Sequence, residues 1–261
     1  IIRALAKAPF DEAPWKLMIV LILAQCLLGA FALLARRWPG IRRPEVGSII
    51  QSNVRWNTFV ALSIASALFG DEGLALVSIA AAAMIPAANI LSVAALTSHA
   101  ERGDLPKRNP ITELARNPLI IACIIGGALA AFNIEIPELL DLTIDLLGQG
   151  TIALGLLAAG AGMDIAALGR SGVKTVTWSL VRLIGLPLLA ISGGIALGVS
   201  GTSLAIITIS AAVPTATSSY ILARQLGGDA PLAANLIAMQ TVLSIATMPL
   251  IWFTCLSLGL F

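Results

Sequence analysis

Two short polar clusters interrupt long apolar stretches, and their residue types suit binding rather than bond-making chemistry. One is Ser210-Ala-Ala-Val-Pro214-Thr215-Ala-Thr217-Ser218-Ser219; the other is Asn53-Val-Arg55-Trp56-Asn57-Thr58. Pro214 has no N–H to give a helix and costs about 3 kcal/mol in a helix interior. Inside a bilayer, a broken helix persists only where other groups or a water-lined cavity satisfy the freed backbone. Thr215, Thr217 and Ser218 after the proline therefore mark a candidate midplane binding site. Half-helix N-termini carry partial positive charge, so two breaks facing each other would suit an anionic group. On this basis Asn57, Thr215 and Thr217 bind the anion, and Arg182 or Arg55 adds positive potential. Asn53 and Arg55 have a second role open to them, a snorkelling position near the membrane interface.

Arg182 lies near the middle of an apolar run, where an Arg costs about 2.5–3.5 kcal/mol on insertion scales. It needs a partner: Asp145 in a structural ion pair, or substrate. Pro187, one turn onward, predicts a kink. Asn89 follows Pro86 in a third run, and Gln240 and Thr241 stand at the equivalent depth of the last one. These amides and hydroxyls either line the cavity or bridge helices. No HExxH, P-loop, dinucleotide glycine pattern or Ser–His pair is present, and the single histidine, His99, ends a span. An enzyme, a metal site and a cofactor are accordingly not expected.

The elements that must position these residues are membrane helices. The 261 residues are 58% hydrophobic and 11% charged, with mean hydropathy +0.94; a soluble domain carries about 25% charged residues. Cys26, Cys123 and Cys255 lie in apolar runs without paired spacing, which predicts small core residues and no disulfide. A spanning helix needs about 20 apolar residues. Eight runs qualify: 15–35, 48–69, 74–98, 117–132, 137–163, 173–199, 202–223 and 231–258. Basic connections (Arg36–Arg43, Arg102–Arg116, Arg170–Lys174, Arg224) alternate with acidic or uncharged ones. Lys and Arg favour the cytoplasmic side, so the C-terminus is expected outside. Nothing in the pattern suggests nucleic-acid binding.

An internal repeat is visible as well. Residues 61–75 and 219–233 share six of fifteen positions at an offset of 158, including the turns Gly70-Asp71 and Gly228-Asp229. Five spans separate the two turns, so they fall on opposite faces, the pattern of an inverted repeat. The same offset carries the start of the second unit about forty residues before Ile1, room for two more spans at about 20 residues each. The expected fold is all-α and polytopic, an inverted repeat of five plus five transmembrane helices. About eight spans are present here and the N-terminal two are missing. Residues 1–98 would hold the tail of span 2 and spans 3–5, residues 99–116 a cytoplasmic linker, and residues 117–261 spans 6–10.

Several stretches, in order, resemble the auxin efflux carrier family in its bacterial branch. They are Asn53-Val-Arg55-Trp-Asn57, Met84-Ile-Pro86-Ala-Ala-Asn89, Asn117-Pro118-Leu-Ile-Ile with Gly126, and Gly155-Leu-Leu-Ala-Ala-Gly160-Ala. Ala212-Val-Pro214-Thr-Ala with Ile221-Leu-Ala223, and Gln240-Thr241-Val-Leu-Ser244 with Met248-Pro249-Leu, complete the set. The resemblance implies ten helices in a fold similar to that of bile acid sodium symporters, with crossed, broken fourth and ninth helices. It also implies alternating-access transport of small carboxylates, auxin-like or malonate- and malate-like, in a homodimer of the bacterial inner membrane. Coupling to protons or sodium is left open by it. Trp56 stands where a proline would make the two crossings symmetrical, so the first is expected to be loosened at Asn57 rather than broken. The crossings lack acids, which argues against sodium coordination there. A sodium-coupled symporter of sterol-like solutes and a membrane ligand sensor are the rival assignments.

Overall fold

The computed structural model describes residues 2–6, 15–100, 118–132, 134–161, 166–169 and 172–261. The linker beyond Ala100, and Asn117, lie outside the described residues. The chain is nearly all helix. It comprises α1 (Ile2–Ala6), α2 (Trp15–Ala32) with a 3-10 extension Leu33–Arg37, α3 (Arg43–Val54), α4 (Thr58–His99), α5 (Pro118–Ala131), α6 (Glu138–Ala161), α7 (Ala166–Gly169), α8 (Val173–Leu180), α9 (Leu186–Ala196), α10 (Gly201–Ala212), α11 (Ser218–Gln225) and α12 (Ala230–Ser257). A π-helical turn, Val181–Gly185, joins α8 to α9.

Among the described residues, five helices are long and apolar enough to cross a membrane: Trp15–Arg37, Arg43–His99, Glu138–Ala158, Val173–Ala196 and Ala230–Ser257. Eight apolar runs become five long helices through one merger, one split and one helix of only 14 residues, Pro118–Ala131. The runs at 48–69 and 74–98 form one stretch, Arg43–His99, interrupted at residues 55–57 and bent at Gly70. Gly70 has φ 56° and ψ −136°, a combination open essentially to glycine alone, and it divides α4 into two helices. The run at 202–223 is split by the break at Pro214, leaving α10 and α11, each too short to count by length.

Side-chain contacts define two ends of the bundle. At one end Arg36 meets His99, Arg43 meets the Ser98 carbonyl, Arg42 meets Asp229 at 2.6 Å, and Lys174 meets Glu45 at 2.6 Å. At about 1.5 Å per helical residue, α12 carries the chain from Asp229 to Trp252 at the far end. There Trp252 meets Phe69, beside Gly70, edge-on and Phe261 at a tilt. Consequently α3 and the first part of α4 run away from the basic end, while α10 and α11 run back toward it. Each is interrupted about halfway.

Packing is close where the sequence is small. A side chain at Gly47 would lie 3.1 Å from the Leu96 Cα and 3.2 Å from the Ala95 carbonyl, so α3 and α4 meet backbone to backbone. Gly47→Leu should cost about 1–3 kcal/mol through forced separation of these helices, visible as a lowered unfolding midpoint; an unchanged midpoint would remove this contact from the account. Gly155 packs against the Phe59 ring, whereas Gly160 and Ala158 of the same series are exposed. The cysteine expectation needs correction at Cys26, which faces outward from α2, while Cys255 is buried; α2 presents one apolar face to neighbours and the other to its surroundings.

Candidate functional site

The two interruptions touch. The backbone N–H of Asn57 donates to the Pro214 carbonyl at 2.8 Å. Pro214 has no N–H of its own and ends the α10 ladder, so its region needs outside partners. These come from the other break and from α12. Gln240 accepts from the Thr215 N–H at 2.9 Å and donates to the Ser52 carbonyl at 3.3 Å. Gln51 donates to the Ser219 carbonyl at 2.9 Å. Each broken backbone is thus satisfied by the other or by a buried amide.

The first interruption corrects an expectation. Residues 55–57 are not helical, so this helix is broken outright rather than loosened. Asn57 sits at φ −88°, ψ 94°, and its side-chain oxygen accepts from the Val60 N–H at 3.3 Å. It is an N-cap for α4, and capping by Asn favours a helix start; a proline is unnecessary.

The breaks sort the four helix ends by sign. The starts of α4 and α11 open onto one cavity of about 290 Å³, lined by Arg55, Trp56, Asn57, Thr58, Phe59, Ile85, Ala88, Asn89, Ala216, Thr217 and Ser218. Arg55 crosses its wall, donating to the Asn89 side-chain oxygen at 3.1 Å and to the Ser218 hydroxyl at 2.9 Å. Its Nε and the Trp56 indole N–H are buried donors without an acceptor among the described residues. Two partly positive helix starts, a guanidinium and surplus donors make an anion-attracting pocket. Phe59, Ile85 and Ala88 supply an apolar side. Its volume lies near the lower limit of ligand pockets, about 300 Å³.

The ends of α3 and α10 meet behind this cavity at Arg182. The Arg182 side chain is fully buried. It donates to the Ala211 carbonyl at 2.6 Å and to the Arg55 carbonyl at 3.3 and 3.4 Å. Two helix C-termini carry roughly half a negative charge each, and one guanidinium balances both. The π-helical turn Val181–Gly185 before Pro187 holds Arg182 there. Of the two partners open to Arg182 in the sequence, the ion pair with Asp145 is corrected: Asp145 bonds Arg3 at 2.7 Å, beside Arg3–Asp141 at 2.9 Å. Carbonyl oxygens, absent from a search for carboxylates, were the partners.

Of the residues singled out in the sequence, Arg55, Asn57, Asn89, Thr217 and Ser218 share the cavity wall. Pro214 and Thr215 are buried behind it. Asn53 is buried and donates to Ile49 of its own helix. Thr241 donates to Ile237 within α12, and Gln240 bridges the breaks; neither lines the cavity. Two residues escaped sequence reasoning. Gln25, buried in α2, donates to the Val54 carbonyl at 2.8 Å, and Gln51 ties α3 to α11. Their signal was an amide inside an apolar run. Gln240→Leu should leave the Thr215 N–H and Ser52 carbonyl unsatisfied, at roughly 1–3 kcal/mol each. The expected result is a lower unfolding midpoint; Gln240→Glu, which keeps the acceptor, should lose less.

Long apolar helices, with a polar pocket between broken helix ends, define an integral membrane protein. The chain belongs to the membrane transport protein family, whose pattern matches residues 105–252; this is a family of transporters, not of enzymes. The matched part contains Arg182, Pro214, Thr217 and Gln240. The chain is also 25% identical over 143 residues to a protein of Oryza sativa subsp. japonica described as probable auxin efflux carrier component 5b. That alignment covers 52% of this chain and 39% of the rice protein, so the chain spans about two fifths of that relative's length.

Proposed function

We propose that the chain is a secondary carrier of small organic anions, working by alternating access, with the carboxylate held between the starts of α4 and α11. The single observation that carries this is the sorting of helix ends: starts and Arg55 at the cavity, ends at Arg182. A carboxylate would accept from Arg55, the Trp56 indole and the Asn57 or Thr217 side chains, with its apolar body toward Phe59 and Ile85. The name of the rice relative makes an auxin-like acid a reasonable first substrate; malonate- and malate-like acids belong in the same panel.

The finer architecture belongs to this proposal too. The two interrupted helices run in opposite directions and touch at residues offset by 158 or nearly so, as an inverted repeat of five plus five spans would have it. The basic end, with Arg36–Arg43 and Lys174, is the cytoplasmic one by the charge rule, which puts the C-terminus outside in a bacterial inner membrane. Arg182 already supplies positive charge to the carbonyl ends, and among the described residues no acid lines the cavity, so sodium coupling is not expected.

The test is uptake into proteoliposomes of labelled mono- and dicarboxylates, with and without sodium and proton gradients. Saturable, sodium-independent carboxylate uptake, lost when Asn57→Ala is combined with Pro214→Ala at normal protein levels, is expected. Undiminished flux in that double variant defeats the assignment. Strict sodium dependence with sterol-like solutes would favour the symporter, and binding without uptake a sensor.

A further inference from the structure

We propose a second anion site, at the basic end of the bundle, that holds the phosphate headgroup of an anionic phospholipid. A cavity of about 360 Å³ lies there, lined by Arg36, Ile41, Arg43, Val46, Ser98 and His99. It joins three segments: the 3-10 turn after α2, the start of α3 and the end of α4.

His99 organises it. The side chain is buried, only 4% exposed, at the last residue of α4. Its Nδ1 lies 2.7 Å from the Ala95 carbonyl, which can only accept, so Nδ1 carries the proton. Nε2 is then an acceptor, and Arg36 Nε donates to it at 2.8 Å. A neutral imidazole thus fixes the guanidinium through its one inner nitrogen, and the two outer NH2 groups have no partner among the described residues. Arg43 donates through one outer nitrogen to the Ser98 carbonyl at 3.1 Å, which anchors it beside the same cavity.

Among the described residues, the acids on this face pair with other cations. Glu45 is taken by Lys174 and Arg42, and Asp229 by Arg42. Among the described residues neither Arg36 nor Arg43 has a carboxylate partner, and no acid lines the cavity. Two anchored guanidiniums without an acid match a phosphodiester, which offers several acceptor oxygens to fork-shaped donors.

The surroundings favour a lipid over a free anion. Leu33 and Leu34, on the same 3-10 turn as Arg36, are exposed, as is Trp38. Trp38 and Phe31 both lie against Trp178, and tryptophans gather at headgroup depth. The cavity therefore sits where apolar surface gives way to charge, the level of a phospholipid headgroup. Basic pockets between membrane helices on the cytoplasmic side bind such headgroups. An occupant here would tie the ends of α2 and α4 to the start of α3, the half-helix that leads to Arg55.

Native mass spectrometry of the purified chain with equal phosphatidylglycerol and phosphatidylcholine tests this. Preferential retention of phosphatidylglycerol is expected. Combined Arg36→Gln and Arg43→Gln should weaken that preference about thirtyfold, while Arg37→Gln, an exposed neighbour outside the cavity, should leave it intact. Unfolding midpoints in phosphatidylcholine check that the variants fold. Equal loss from Arg37→Gln would mean diffuse surface attraction and overturn the site. So would the absence of any lipid preference. Displacement of the lipid by millimolar inorganic phosphate would assign the cavity to a soluble anion and overturn the lipid assignment.

Discussion

Replacing Arg182 by Met should give a protein that unfolds readily, with the loss set by carbonyls rather than by charge. Burial of an unpaired guanidinium is costly, and an apolar residue of similar volume relieves that cost; buried ion sets replaced whole can even gain stability. Here the partners cannot be replaced. The carbonyls of Ala211 and Arg55 belong to the backbone at the ends of α10 and α3, and Met leaves both without a donor. Hydrogen bonds from a charged donor are worth about 1.5–3 kcal/mol each, and the two helix ends lose their compensating charge as well. A net loss of about 3 kcal/mol or more is expected. Arg182→Lys keeps the charge but not the planar fork, so it should fall between. Thermal unfolding and the monodisperse fraction in detergent report this. A Met variant as stable as the parent would show that Arg182 does not hold the breaks together.

Arg55→Gln should do the reverse, sparing the fold and removing transport. Arg55 borders the cavity rather than filling the core, and its partners, the Asn89 amide and Ser218 hydroxyl, can turn to other donors. Its value would come when a carboxylate enters the cavity and meets the guanidinium at low dielectric. Loss of one partner in such a charge-assisted pair costs about 2–5 kcal/mol, or roughly three hundredfold in apparent affinity at the middle of that range. Arg55→Lys restores charge without the second hydrogen bond and should recover part of it. Substrate-concentration curves in proteoliposomes separate this from a folding defect. If Arg55→Gln transports with unaltered affinity, the anion binds elsewhere.

Much of this arrangement was legible in the sequence, and the rest was not for definable reasons. Pro214 advertises a break because proline removes a backbone donor whatever surrounds it. The break at 55–57 lacks that signature; it depends on Asn57 capping α4 and on the Pro214 carbonyl waiting across the gap, a contact between residues 157 positions apart in sequence. Arg182 was legible as a misfit in an apolar run, but its partners were not. A search for opposite charge finds Asp145, while the structure supplies helix ends, whose charge has no letter in the sequence. His99 shows the same limit. The sequence shows only a lone histidine at the end of a span, whereas burial and the Ala95 carbonyl give it one tautomer and a fixed arginine.

The most direct test of the central claim is protection of a thiol inside the cavity. Thr217→Cys, in a background with Cys26, Cys123 and Cys255 changed to Ser, puts one reactive group on the cavity wall. Labelling of that thiol by a small maleimide is then followed by mass with increasing carboxylate. The account predicts labelling that slows as the acid rises, with half-protection near the concentration that half-saturates uptake, and no protection by choline. Labelling at an unchanged rate under acid concentrations that saturate uptake would place the anion outside this cavity and contradict the account.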